Sequence, residues 1–117
     1  MTRSTTTFSR GDIVVVPYPF AELDAIKNRP ALVLSTDALL AGRYDVVLAA
    51  ITSRLRIPPL SGDYVLEDWE AGGLLRPSVV TGVLRTAKVY RILRKMGEIS
   101  PVDLRGYETV LQSSLGL

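Results

Sequence analysis

The chain has no cysteine and no histidine. Without cysteine there is no disulfide, no thiolate metal site and no thiol nucleophile, a usage that suits the cytoplasm. Without histidine, the commonest acid–base group and the commonest transition-metal ligand are both missing. Catalysis would have to use Arg, Lys, carboxylates, hydroxyls or Tyr. A zinc site would need carboxylates alone, against zinc's usual ligand set, so neither a metal nor a cofactor is expected. No apolar run approaches the roughly 20 residues of a membrane helix. Met1 to Arg10 is polar and threonine-rich, without the apolar core of a signal peptide. The expectation is a soluble cytoplasmic protein with no membrane partner. A strong net charge is also lacking: 14 basic against 12 acidic residues leave +2. The overall balance therefore does not announce a nucleic-acid partner.

At 117 residues, 47% of them hydrophobic, the chain is one small domain with a thin core, for which self-association is a natural remedy. Its charges are segregated. Arg85, Lys88, Arg91, Arg94 and Lys95 form a basic run without an acid, and Asp63, Glu67, Asp68 and Glu70 an acidic stretch without a base. Two solvated faces and a phosphate-binding surface both fit this pattern.

Residues 1–9 read as a loose tail before a single domain over 10–117. GDIVVV (11–16) is β-branched and stopped by Pro17 and Pro19, which marks a first strand. Phe20 to Asn28 is polar and longer than a hairpin turn, the length of a functional loop. PALVLS (30–35) is a second strand, and Thr36 to Gly42 has room for one helical turn. YDVVLAAI (44–51), almost continuously apolar, predicts a central strand covered on both faces. Asp63 to Leu66 is a short strand and Glu67 to Gly73 a turn or short helix. Pro77 to Val83 is a further strand, continuing to Ile92 after a bend at Gly82. Ser100, Pro101 and Asp103 have the spacing of a capped helix start, and Leu104, Tyr107 and Leu111 then share one face. Five or six short strands followed by a helix point to a mainly β fold, a closed or nearly closed small barrel with short helices and a C-terminal α-helix.

Two polar groups abut strand ends. Arg29 opens the second strand, and Thr52 and Ser53 close the third. Adjacent strand ends of a small barrel can converge on one rim, where a guanidinium and a hydroxyl would suit a phosphodiester. RNA carries its own nucleophile, the 2′-hydroxyl, so an enzyme that aligns it and neutralises the developing charge needs neither metal nor histidine. On residue types alone, a surface Arg with a packed stem and a Thr-Ser turn fit as well.

The segment GDIVVVPYPFAELDAIKNRPALVLS (11–35) resembles the signature of the MazF/PemK toxins: a Gly-Asp-hydrophobic strand, a loop of this length, then Arg-Pro-Ala-Leu-Val-Leu-Ser. YDVVLAAITSR, DWEAGGLLRPSVV and MGEIS extend the resemblance in order over roughly residues 10–113. It implies an SH3-like barrel and a homodimer acting as the toxin of a type II toxin–antitoxin system. It also implies sequence-specific, metal-independent cleavage of single-stranded RNA by 2′-hydroxyl attack, leaving a cyclic phosphate and a 5′-hydroxyl. By motif, Arg29 matches the family's catalytic arginine and Thr52 its catalytic threonine. Ser53 is a phosphate donor by position. A cognate antitoxin, whose disordered C-terminal segment folds over the active surface, is implied as partner. The chain departs from the family at Thr81 to Leu84, where relatives carry charged groups; Arg85 is the next candidate.

Lys27, Arg54, Arg76, Ser78 and Arg85 join Ser53 as candidate substrate-binding residues. Glu22 and Asp24 read as loop solvation, Trp69, Tyr18 and Phe20 as core or interface, and Asp12 as structural. Two alternatives stand beside the nuclease: a gyrase-poisoning toxin of the CcdB kind on the same fold, and a non-catalytic barrel that binds RNA or a peptide.

Overall fold

The structure, a computed structural model, describes residues 8–19, 26–37 and 44–117. The expected loop from Phe20, with Glu22 and Asp24, therefore lies outside the described residues as far as Ala25, as do residues 1–7 of the expected tail and 38–43 of the expected helical turn. Strands β1 (Asp12–Pro19), β2 (Ile26–Val33), β3 (Asp45–Thr52), β4 (Tyr64–Val65), β5 (Val79–Lys88) and β6 (Arg94–Glu98) precede helix α1 (Pro101–Leu115). Among the described residues they form one antiparallel sheet in the order β4-β5-β3-β2-β1-β6.

The sheet curls because of its last connection. In a flat sheet β5 and β6 would lie roughly 19 Å apart across four strand spacings. The six Cα steps from Lys88 to Arg94 would reach roughly 21 Å at full extension, but Val89–Arg91 is wound into a 3₁₀ turn at about 2 Å per residue, which cuts the reach below that separation. The sheet must therefore bring β5 toward β1. The result is a half-barrel with edges at β4 and β6, more open than the closed or nearly closed barrel expected.

Period-two alternation gives each strand two apolar faces. One face carries Val14, Val16, Tyr18, Ala31, Val33, Val46 and Leu48, covered by Phe8 and by Val89 and Ile92 of the connecting strap. The other carries Ile13, Leu32, Leu34, Ala49, Ile51 and Val80, covered by Leu66, Leu74, Ile99 and Tyr107 of α1. β3 is thus sandwiched, as its continuous apolar run predicts. Phe8 is buried, so the end of the presumed tail is packed. Asp12 has a structural role: its carboxylate accepts from the Ser9 N–H at 2.9 Å and pairs with Lys95 at 3.2 Å.

Three local expectations change. β2 starts at Ile26, so Lys27, opposite Tyr18, stands in the strand and not in a loop, and Arg29 is its fourth residue and not its opening one. β5 runs unbroken through Gly82; the irregularity expected there is a register shift against β3 between Ala49 and Ile51. β6 is an additional strand, formed where only a lead into the helix was expected. Ser100 does cap α1, accepting from the Asp103 N–H at 3.1 Å. The Asp103 carboxylate, however, turns away from the cap. It accepts from the Tyr64 hydroxyl (2.9 Å), the Glu67 N–H (3.0 Å) and the Asp68 N–H (2.8 Å), which ties the segment after β4 to the helix.

Candidate active site

The ladder between β2 and β3 pairs Leu32 with Ala49 and Ala31 with Ala50. Carrying that register on by two residues sets Arg29 opposite Thr52. Directly opposed residues of an antiparallel pair project to one side. Alternation puts both on the face of Ala31 and Leu48, toward the strap-covered core. β1 supplies the next column, with Val16 opposite Arg29 and Tyr18 opposite Lys27. Lys27, Arg29 and Thr52 therefore share one face at one end of the half-barrel. Arg29 is half-buried with its Nε enclosed. Thr52 is half-buried, and its Oγ1 accepts from the Arg54 N–H at 3.1 Å, which leaves the hydroxyl proton to be donated elsewhere.

Arg85 reaches this face from β5. It lies opposite Leu48, and its guanidinium carbon sits 5.6 Å from the Tyr18 ring centre. The Tyr18 hydroxyl donates to the Val83 carbonyl at 3.4 Å. These contacts join β1 to β5 across the two strands between them. Burial pushes the Tyr18 pKa up to about 12, against the opposing pull of Arg85, so the phenol stays protonated. Sequence reasoning assigned Tyr18 to core or interface; its alternation with Val14 and Val16 was the available sign that it shares the Arg29 face.

Ser53 and Arg54 are exposed just beyond β3. Val79 pairs with Thr52, so Arg76, also exposed, precedes β5 at the same end of the sheet. Ser78 differs from the expectation. It is 3% exposed, and its hydroxyl donates to the Arg76 carbonyl at 2.9 Å. It braces the turn and does not present a hydroxyl to a substrate. The divergent Thr81–Leu84 stretch coincides with the β3–β5 register shift. Thr81 Oγ1 donates to the Ala50 carbonyl at 2.9 Å and accepts from the Val83 N–H at 3.1 Å, stitching the irregularity. Trp69 is half-buried against the helix-side core. Among the described residues no group of three or more Asp or Glu converges as a cation would require, and no helix is long and apolar enough to cross a membrane.

A small half-barrel with cations and a hydroxyl on one face is the class of structure this chain defines, and comparison places it more closely. The profile of the PemK-like, MazF-like toxins of type II toxin–antitoxin systems matches residues 9–115. The chain belongs to this family. Among solved structures it is similar to a mycobacterial endoribonuclease in complex with its cognate antitoxin, at 20% identity and a TM-score of 0.75 over 95% of this chain and 97% of that one. It is similar to the Mycobacterium tuberculosis toxin MazF-mt6, at 23% identity and 0.73 over 91% and 97%. It is also similar to the MazE–MazF complex of Deinococcus radiodurans, at 22% identity and 0.73 over 93% and 96%. At such identities these structures speak to the fold.

Proposed function

We propose that this chain is the toxin of a type II pair and a metal-independent, sequence-specific endoribonuclease acting on single-stranded mRNA in the cytoplasm. The observation that supports this reading is the β2–β3 register, paired as far as Ala31 and Ala50, whose continuation by two residues brings Arg29 and Thr52 to one face at one end of the sheet. The RNA 2′-oxygen attacks the adjacent phosphorus and the bond to the 5′-oxygen breaks. The products are a 2′,3′-cyclic phosphate and a 5′-hydroxyl, which takes up the proton. Arg29 holds the non-bridging oxygens in a bidentate fork, stabilises the developing charge and delivers a proton toward the leaving oxygen. Thr52 aligns the attacking hydroxyl by hydrogen bonding, since its own pKa is too high for a free base. Lys27, Ser53, Arg54, Arg76 and Arg85 bind the flanking strand.

Solved relatives described as antitoxin complexes support a partner for this chain as well. The antitoxin's disordered C-terminal segment covers the cationic face, and the toxin acts as a homodimer. The test is incubation of purified protein with long single-stranded RNA in EDTA, beside Arg29→Ala. Discrete fragments with 5′-hydroxyl ends, absent with the variant, support the assignment. Intact RNA with both proteins returns the question to the binding or gyrase alternatives.

A further inference from the structure

The strap from Val89 to Leu93 and the first residue of β6 take no part in the chemistry above, yet their side chains divide sharply. Val89 and Ile92 pack inward. Tyr90 is 72% and Leu93 56% exposed, and Arg91 and Arg94 are exposed as well. Among the described residues no ion pair engages either arginine. One end of the strap is anchored beside Tyr44, whose carbonyl accepts from the Val89 N–H; Tyr44 is 73% exposed. Two exposed tyrosines are thus carried on adjoining segments, Tyr90 following the Val89 that bonds to Tyr44. The other end lies beside the candidate active site. The Leu93 N–H donates to the Val15 carbonyl at 2.8 Å, one residue from the Val16 that pairs with Arg29, and Arg94, opposite Val15, projects with Met96 to the other face of the β6 edge.

Aromatic faces with interleaved unpaired guanidiniums match a single nucleic-acid strand, whose bases stack on rings and whose phosphates take cations. The strap spans at most roughly 17 Å, about five nucleotides at roughly 3.4 Å per stacked step. We propose that the strap and Tyr44 form a second RNA-binding subsite that passes over the strap and around the β6 edge, with Tyr44 and Tyr90 stacking bases, Arg91 holding phosphate on the strap and Arg94 holding it beyond that edge. This rests on single-stranded RNA being the substrate and adds where the strand runs.

The test is fluorescence anisotropy with labelled, unstructured 2′-O-methyl RNA, which lacks the attacking hydroxyl. One oligonucleotide of about five nucleotides fills the cleavage site alone, and one of about fifteen also reaches the strap. Tyr44→Ser and Tyr90→Ser should each weaken the long oligonucleotide by about tenfold and leave the short one unchanged. Arg91→Ser and Arg94→Ser should each lower the salt slope of long-strand binding by about 0.7. Wild-type affinity and slope for the long strand in all four variants would overturn the proposal. So would a fall in molar mass by light scattering, which would make the strap a contact between copies. Failure of the nuclease reading registers separately, as intact unmodified RNA with the wild type, while length-dependent binding still reads the subsite.

Discussion

The guanidinium of Arg85 stacks 5.6 Å from the ring centre of Tyr18, and this contact clasps β5 to β1 over the face that holds Arg29 and Thr52. The buried ring sets where an exposed cation points. Tyr18→Leu should raise KM for RNA about two- to fivefold with kcat little changed, the worth of one cation–π contact. Tyr18→Phe keeps the ring and should stay near wild type. Steady-state cleavage of one oligonucleotide by the three proteins decides it, and an unaltered KM in Tyr18→Leu would uncouple the pair.

Thr52 offers a hydroxyl whose oxygen already accepts from the Arg54 N–H. If its proton orients the nucleophile, Thr52→Val should lower single-turnover cleavage about a hundredfold or more. Thr52→Ser should recover most of the rate. Equal rates in both variants would remove the hydroxyl from the chemistry.

Asp103 is fully buried and satisfies three donors from residues 64–68. Asp103→Ala strands those donors, at about 3 kcal/mol or more, and should lower Tm by about 10 °C. Asp103→Asn retains one acceptor oxygen but turns an amide donor toward a backbone N–H, so an intermediate Tm is expected by calorimetry.

Gly73 has φ +81° and lies where a Cβ would run into the Met96 carbonyl. Gly73→Ala must force the turn off β6 and should cost several times what Gly116→Ala costs. Gly116, at φ +74° with nothing within 4 Å of its Cβ position, bears only the left-handed penalty of about 1 kcal/mol. Urea midpoints of the two variants give the comparison.

Burial raises the pKa of Tyr18 and of Tyr107 to about 12, and burial with the Asp103 hydrogen bond does the same for Tyr64. A folded pKa above the unfolded value near 10 means that the stabilisation is complete below pH 10 and is lost as pH rises toward 12. Unfolding free energy should therefore fall over that window, together with the rise of tyrosinate absorbance. With the exposed Tyr44 and Tyr90 replaced by Phe, tyrosinate appearing well before the structure is lost would contradict the assignment.

The sequence by itself determined strands β1 to β5, the helix cap and the toxin family, and missed β6. β-Branched runs broken by Pro and Gly, a Ser-Pro-x-Asp helix start and contiguous motifs are local signals, readable without a partner segment. It also marked Arg29 and Thr52 as residues beside strand ends inside such a motif, although β2 begins at Ile26 and Arg29 is its fourth residue. Only the tertiary structure decided what those residues face. The Arg29–Thr52 juxtaposition depends on the β2–β3 register, in which a slip of one residue would turn one of the two to the opposite side. The stacking of Arg85 on Tyr18 depends on a curl imposed by a five-residue strap. Ser78 reads as a polar motif residue, yet its hydroxyl is consumed by a carbonyl two residues away. The Asp103 carboxylate, placed in the helix cap by its spacing, is claimed instead by donors some 35 residues earlier in the chain. Such partners meet only when the chain closes on itself, and no local pattern encodes them.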